Sequence, residues 1–140
     1  MEPWIIYALL AALFASLVAI FGKIGLEGID TTLATTIRAI VMAGVLTTAA
    51  IALGKTKLLD TISTNALIWI VLSATAGAIS WFFYFLALKS GPTTGVAALD
   101  RLSVVFVLVL AALFLSEGIT WKTGMGATLM TIGALFFVFK

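Results

Sequence analysis

Residues 88–117 read LKSGPTTGVAALDRLSVVFVLVLAALFLSE. A Gly-Pro pair near the beginning favours a helix start, and the following apolar run ends at Ser116 and Glu117. The run at 93–115 has the length of about 20 residues that a helix needs to cross a hydrocarbon core. Asp100 and Arg101 lie inside this run, where charged side chains are costly and usually functional. The stretch therefore predicts a membrane-spanning helix that contributes to a functional site.

The composition excludes an ordinary water-facing surface. Hydrophobic residues make up 63% of the 140 residues and charged residues 10%, whereas soluble domains carry about 25% charged residues. The net charge of +2 is small and scattered, which argues against a nucleic-acid partner. The sequence contains no Cys and no His, so we expect no disulfide, no zinc or haem site and no cofactor. We expect the lipid bilayer to surround the chain.

Five apolar segments follow one another, separated by short polar connections. Their approximate limits are 4–21, 31–53, 66–88, 93–115 and 121–139. Each is long enough to span a bilayer as a helix, with tilt where needed. We therefore predict one domain over residues 1–140, an all-α membrane protein with five transmembrane helices in which consecutive helices run antiparallel.

Polar residues at the edges of these segments are typical helix caps. Asp30 precedes the second segment, Ser63 and Thr64 precede the third, and Thr120 precedes the fifth. Each of these side chains can accept a hydrogen bond from a free amide in the first helical turn. We predict that Asp30, either Ser63 or Thr64, and Thr120 cap their helices.

Charged residues do not select a membrane orientation. Loop and terminal lysines are divided equally between the two predicted faces: Lys55, Lys57 and Lys122 on one, and Lys23, Lys89 and Lys140 on the other. The positive-inside rule therefore gives no strong preference. Two interpretations stay open: a single orientation that these charges do not determine, or dual topology, in which copies insert both ways and pair antiparallel. Dual topology would give an antiparallel pair, which has the same arrangement as the two inverted halves of many transporters.

Five residues are predicted to form a polar layer near one face of the membrane. A residue about seven positions into a helix lies about 10 Å inside the membrane. This depth is shared by Arg38 in the second helix, Asp100 in the fourth and Trp81 in the third, with Ser16 and Tyr84 close by. One hypothesis is that they line a cavity in which Asp100 exchanges protons or binds a cation and the aromatic rings stack on an organic substrate. The alternative is that Arg38 and Asp100 pair permanently and hold the helices together.

Other residues are predicted to have structural roles. Lys23 and Glu117 lie at helix ends, where an interfacial charge is the simpler interpretation. Arg101 is about 100° away from Asp100 around the helix, so we expect it to extend toward the near membrane face. Gly126 and Gly133 recur on one face of the last helix, which makes that helix a candidate subunit interface.

Sequence motifs for enzymatic chemistry are absent. The sequence has no P-loop, no nucleophile elbow, no His-based constellation and no paired carboxylates. We therefore expect a protein that is not an enzyme and does not hydrolyse ATP. If the protein is a transporter, the missing ATPase motif leaves ion coupling or facilitated movement as its mode of transport.

Four segments together resemble a single EamA-type domain of the drug/metabolite transporter superfamily. They are ALLAALFASLVAIFGKIGLEGID at 8–30, TTIRAIVMAG at 35–44 with Arg38, the stretch at 83–117, and WKTGMGATLMTIGALFF at 121–137. The resemblance covers nearly the whole chain. It departs from many relatives at Leu-Asp-Arg, 99–101, where they have an uncharged helix with a proline. The first helix also lacks the carboxylate that four-helix multidrug relatives use for proton coupling.

The resemblance implies a half-size drug/metabolite transporter. Most relatives carry two such domains as inverted halves, so one domain implies an antiparallel homodimer or a heterodimer with a similar half. The expected function is ion-coupled export of small organic solutes, such as amino acids, metabolites or drugs, across the cytoplasmic membrane. The alternatives are an accessory or structural subunit of another membrane protein, or a passive channel.

Overall fold

The structure, a computed structural model, describes residues 2–139 and is almost entirely helical. The α-helices are α1 (Pro3–Gly25), α2 (Thr31–Ala52), α3 (Thr64–Ser90), α4 (Thr93–Asp100), α5 (Ser103–Phe114) and α6 (Trp121–Val138). A short 3₁₀ helix at Lys55–Thr61 follows α2. Lys140, which enters the charge balance above, lies outside the described residues.

Within residues 2–139, four helical stretches are long and apolar enough to cross a membrane. They are α1, α2, α3 and the stretch Thr93–Phe114, which contains both α4 and α5. The remaining helix, α6, has 18 residues, and Lys122 lies in its first turn. That length is near the lower limit for a span. A fifth membrane-spanning helix therefore stays a prediction from the sequence.

Side-chain caps at the helix starts confirm the predicted caps. Asp30 accepts a hydrogen bond from the amide of Leu33 at the start of α2. Ser63 accepts one from Ala66 at the start of α3. Thr120 and Thr123 form a capping box at the start of α6. These bonds satisfy amides that have no partner inside the helix, and so they determine where each helix begins.

The helix predicted at 93–115 is interrupted after Asp100, which corrects the expectation of one continuous helix. The amides of Arg101 and Leu102 bond to carbonyls three residues earlier, those of Ala98 and Leu99, at 3.2 and 2.9 Å. This is the tighter 3₁₀ pattern. Neither proline nor glycine occurs at the break, so the usual sequence signals for a kinked helix could not locate it.

Ser116 ends α5 in a left-handed conformation. Its φ is +55°, and it is the only non-glycine residue with positive φ among the described residues. The amides of Leu115 and Glu117 both bond to the carbonyl of Ala111, at 2.9 and 3.2 Å. The second bond reaches six residues back, one residue more than the long bond of a Schellman motif, and closes the chain around Ser116. The Ser-Glu pair therefore closes the helix by its backbone.

The chain divides into two compact units. One contains Met1–Gly22 and Ser90–Lys140, and the other contains Lys23–Lys89. In the first unit α6 packs against α4 and α5. A Cβ atom on buried Gly95 would lie 3.2 Å from Cγ of Pro92 and 3.4 Å from the carbonyl oxygen of Phe137. Glycine therefore avoids a tight contact with Pro92, while the distance to the end of α6 is that of ordinary van der Waals contact.

Candidate functional site

Arg38 of α2 stacks on the aromatic face of α3. The guanidinium carbon lies 3.7 Å from the centroid of the Trp81 ring and 5.5 Å from that of the Phe85 ring. Arg38 itself is half-buried. A cation over an aromatic face is attracted by the ring quadrupole, most strongly for Trp. The contact therefore joins α2 to α3 and holds a positive charge in place within a candidate membrane span.

The aromatic residues that receive Arg38 share one face of α3. Trp81 and Phe85 are four positions apart, so they are neighbours on a helix surface. Their ring centroids lie 5.9 Å apart, and Phe85 is only 4% exposed. Tyr84 meets Trp81 edge to face, with centroids 5.3 Å apart. These ring contacts limit the freedom of Trp81, so it forms a stable platform for the guanidinium.

The N–H groups of Arg38 have no partner within its own unit. Among residues 23–89, the guanidinium makes contact with the two rings and forms neither a hydrogen bond nor an ion pair. Asp30, the acidic residue nearest to it in sequence, instead accepts from the Leu33 amide and interacts with Lys89. A guanidinium has five N–H donors. The unit therefore presents a cation whose donors are available for a ligand.

A groove of about 590 Å³ separates α2 from α3 beside this cation. Arg38 and Trp81 both line it. The other lining residues are Thr32, Thr35, Thr36, Ala39, Met42, Ala43, Leu46, Ala74, Gly77, Ala78 and Phe82. Small residues on both helices leave this space open. At Gly77, for example, an added Cβ atom would meet no atom within 4 Å. The volume lies in the range of small-molecule sites.

Polarity changes along the groove. At its α2 N-terminal end, the hydroxyl groups of Thr35 and Thr36 donate to the carbonyls of Thr31 and Thr32, both at 2.8 Å. Their oxygens keep lone pairs that can accept further hydrogen bonds. Farther along α2 the wall is apolar. The groove therefore has a polar end beside Arg38 and an apolar end deeper along the helix.

The structure brings some of the predicted layer together. Arg38 and Trp81 are in direct contact, and Tyr84 packs on Trp81 without lining the groove. Ser16 and Asp100 belong to the other unit. The hydroxyl of Ser16 donates to the carbonyl of Leu13 at 2.6 Å. The predicted shared layer, and the pairing of Arg38 with Asp100, therefore stay predictions.

Asp100 and Arg101 lie at the interruption between α4 and α5. Asp100 is the last residue of α4 and Arg101 is its C-terminal cap residue. Both side chains are exposed on the surface of the chain. Irregular backbone at membrane depth is tolerated where it is buried in protein or lines a watery cavity. The two charges thus coincide with the one point in the fourth predicted span where the α-helical pattern is interrupted.

Lys23 and Lys89 connect helix ends within the second unit. The ammonium of Lys23 donates to the carbonyl of Leu88, in the last turn of α3. That of Lys89 donates to the carbonyl of Ile29, just before α2, at 3.1 Å. Carbonyls in the last turn of a helix have no partner inside it. Both lysines therefore bind backbone carbonyls near helix ends. Leu88, whose carbonyl accepts from Lys23, is fully buried.

The remaining predicted residues lie in the first unit. Glu117 stands between α5 and α6, and its amide closes α5. The N-terminal cap of α6 is Thr120, so Glu117 is outside the first turn of that helix. On α6, Gly126 is exposed and Gly133 is half-buried. Their role in a subunit interface stays a prediction.

Three features of the site were not assigned from the sequence: Phe85, the threonine hydroxyls and Gly77. The spacing of four between Trp81 and Phe85 was available as a signal, and so were the repeated threonines of α2. The aromatic spacing and the threonines indicate a site only once it is known which face of α3 packs against α2. Gly77 is one of many small residues in an Ala- and Gly-rich chain, and only the groove distinguishes it.

Comparison with known proteins agrees with this architecture. Residues 2–139 match the EamA-like transporter family. A protein of Sinorhizobium sp. named "Uncharacterized transporter in cobO 3'region" is 37% identical over 134 residues, which cover 96% of this chain and 95% of that protein. No solved structure matches. The resemblance seen in the sequence is thereby confirmed, and the chain belongs to the EamA-like transporter family as a multi-pass membrane transporter.

Proposed function

We propose that the chain exports small organic solutes across the cytoplasmic membrane as an ion-coupled transporter. The observation that carries the proposal is the groove between α2 and α3, in which Arg38 is held on the Trp81 ring. An unpaired guanidinium at membrane depth is costly and is by default functional. The contact with Trp81 also joins α2 to α3, but it leaves the N–H donors of Arg38 without a hydrogen bond within residues 23–89.

The interruption at Asp100 supports a coupled mechanism. Discontinuous helices supply the substrate and ion sites of many secondary transporters. A carboxylate at such a point can exchange protons with a water-filled path during the transport cycle. We propose that Asp100 couples solute movement to a proton gradient.

We further propose that two copies form the working unit. A transporter needs two halves that move around a central site, and inverted halves are a common solution. The equal division of loop lysines is consistent with insertion in both orientations. An antiparallel homodimer is the simplest assembly, and a heterodimer with a similar half would meet the same need.

Transport is tested with the purified full chain in liposomes. We expect saturable uptake of organic solutes that increases when a pH gradient is imposed. Asp100→Asn should remove the response to the gradient, whereas Glu117→Gln, the matched control at a helix end, should retain it. Unchanged pH dependence in Asp100→Asn would show that the coupling assignment is wrong. Absence of any solute flux would contradict the transport function.

Topology is tested with reporters fused to the C-terminus. Dual topology predicts that a cytoplasmic reporter and a periplasmic reporter are both active in the same cells. Activity of only one reporter, in cells that make no similar partner, would exclude the antiparallel homodimer. Disulfide cross-links between single cysteines introduced at Gly126 or Gly133 would test whether α6 forms the subunit interface.

A further inference from the structure

We propose that the groove between α2 and α3 binds small organic anions, with a carboxylate on Arg38 and an apolar body along the rest of the groove. This inference rests on the proposed transport function and specifies its substrate class. It differs from the expectation that an intramembrane carboxylate selects cationic solutes. The single charge that lines the groove, on Arg38, favours anionic solutes instead.

The charge of the groove is carried by Arg38 alone. None of the residues lining it is Asp or Glu, and none of the others is basic. An organic cation in the groove would face the guanidinium without a compensating carboxylate. Repulsion at short range grows as the effective dielectric constant falls from about 80 in water to about 20 near a protein surface. An organic anion in the groove would instead be attracted to the guanidinium by an interaction of the same magnitude.

The geometry of Arg38 suits a carboxylate. Its guanidinium carbon lies over the Trp81 ring, 3.7 Å from the centroid, and its five N–H donors lie in the guanidinium plane. They make no hydrogen bond or ion pair within residues 23–89. A planar guanidinium binds a carboxylate through two parallel N–H···O bonds. The Trp81 and Phe85 rings hold the side chain, so little of its conformational freedom remains to be lost when a ligand binds.

The rest of the groove suits an apolar body. Arg38 and Leu46 are eight positions apart on α2, which corresponds to about 12 Å along the helix. Between them the wall is made of alanines and Met42, and Gly77 faces them from α3. This space accommodates an aromatic or branched hydrocarbon chain attached to one carboxylate. A small inorganic anion would leave the apolar wall unused.

A lipid phosphate offers related chemistry, because Arg38 lies only about 10 Å from the helix start. The size of the groove favours the soluble carboxylate, because about 590 Å³ lies in the range of small-molecule sites. Met42 and Leu46 lie farther along α2 than Arg38, away from the end at which the helix begins. A lipid would lay an acyl chain along the same wall, so the measurement in phospholipid-free detergent distinguishes the two sources.

The test uses three probes with the same body and different charge: 3-phenylpropanoate, 3-phenylpropylamine and 3-phenylpropanol. Binding to the full chain is measured by tryptophan fluorescence and thermal stability, in phosphatidylcholine nanodiscs and in phospholipid-free neutral detergent. We expect the carboxylate to bind at least tenfold more tightly than the amine or the alcohol in both media. Arg38→Gln should abolish this preference, and Arg38→Lys should retain part of it.

A second variant separates ligand binding from folding. Gly77→Leu fills the groove and leaves Arg38 in place, so it should weaken carboxylate binding at least tenfold. Gly44→Leu, on α2 but outside the groove, should bind like the wild type. Equal binding of all three probes, preference for the amine, or equal preference in wild type and Arg38→Gln would overturn the proposal. The proposal would also be overturned if the carboxylate did not bind and phosphatidylglycerol raised the thermal stability of the wild type but not of Arg38→Gln.

Flux of the same probes into liposomes distinguishes this inference from the proposed function. Movement of the amine or alcohol without the carboxylate would overturn the anion assignment and leave transport standing. Carboxylate binding without flux of any probe would support the site and contradict transport. Carboxylate binding with carboxylate flux supports both.

Discussion

The guanidinium carbon of Arg38 lies 3.7 Å from the centroid of the Trp81 ring, and this contact connects α2 to α3. Arginine costs about 2.5–3.5 kcal/mol at the centre of a membrane helix, and Arg38, about 10 Å from the helix start, bears part of that cost. A cation–π contact returns about 0.5–2 kcal/mol. The ring therefore offsets some of this cost. A ligand that binds the free N–H groups would offset more of the cost of burying the charge. We therefore propose that the solute binds at Arg38.

Removing the ring should destabilise the second unit and weaken solute binding. We expect Trp81→Leu to lower the free energy of unfolding by about 1–2 kcal/mol, because the cation–π contact is lost. Trp81→Phe should lie between this variant and the wild type. The measurement is unfolding in mixed micelles. Trp69→Leu on the same helix, where the ring is 66% exposed, is the control and should change stability less. Equal losses in both variants would contradict the proposed contact.

Filling the groove should block transport without unfolding the protein. A Cβ atom at Gly77 would meet no atom within 4 Å, so Gly77→Leu introduces no backbone clash. Leucine is also a better helix former than glycine by about 0.5–1 kcal/mol. We expect wild-type or higher thermal stability together with at least a tenfold loss of solute flux. Gly44→Leu should transport normally. Full activity of Gly77→Leu would mean that the solute does not pass through this groove.

Lys23 should stabilise the end of α3. Its ammonium donates to the carbonyl of Leu88, and hydrogen bonds that involve a charged group contribute about 1.5–3 kcal/mol. Lys23→Met keeps most of the aliphatic stem, so its unfolding free energy should fall by about 1–3 kcal/mol. Lys57→Met, in the exposed 3₁₀ helix, should remain within about 0.5 kcal/mol of the wild type. A loss in Lys57→Met as large as in Lys23→Met would argue against a specific role for Lys23.

Asp30 should make stability depend on pH in the acidic range. The hydrogen bond from the Leu33 amide holds the pKa of the Asp30 carboxyl below its ordinary value of 3.8. A lowered pKa in the folded state means that the carboxylate stabilises the fold above pH 3.8. That stabilisation is lost as the pH falls through the lowered value.

Asp30→Asn retains an oxygen that can cap α2 but does not titrate. Thermal unfolding measured from neutral pH to pH 2.5 should therefore show a smaller acid-dependent loss in Asp30→Asn than in the wild type. Asp30→Ala should be less stable than both at neutral pH because the cap is removed. Identical pH profiles for wild type and Asp30→Asn would refute this role of the carboxylate.

Ser116 should be a position at which glycine stabilises the protein. Its φ of +55° lies in the left-handed region, which costs a non-glycine residue about 1–2 kcal/mol. Glycine removes that cost but adds entropy to the unfolded chain, so we expect Ser116→Gly to gain up to about 1 kcal/mol. Ser116→Val should lose stability, since a β-branched residue tolerates this conformation poorly. Chemical unfolding of the two variants measures both effects, and a more stable Ser116→Val would contradict the left-handed conformation of Ser116.

Much of the local structure follows from the sequence. The starts of α2, α3 and α6 and the residues that cap them were predictable, because apolar length and capping depend on neighbours a few positions away. The interruption at Arg101 was not, because it occurs without proline or glycine. The positions of Arg38 and Asp100 inside apolar helices already marked them as candidates, since charge at membrane depth is costly wherever the helix packs.

Which side chains meet was decided by the tertiary structure. Helix α3 is apolar on all sides, so no polar stripe indicates which face turns toward α2. That orientation alone placed Trp81 and Phe85 beneath Arg38 and opened a groove at Gly77. The bond from Lys23 to Leu88 likewise joins residues far apart in the chain. The sequence alone was enough to locate the helices and their costly charges. Packing decided the site, because in uniformly apolar helices the shape of the surfaces, more than their polarity, selects the partner.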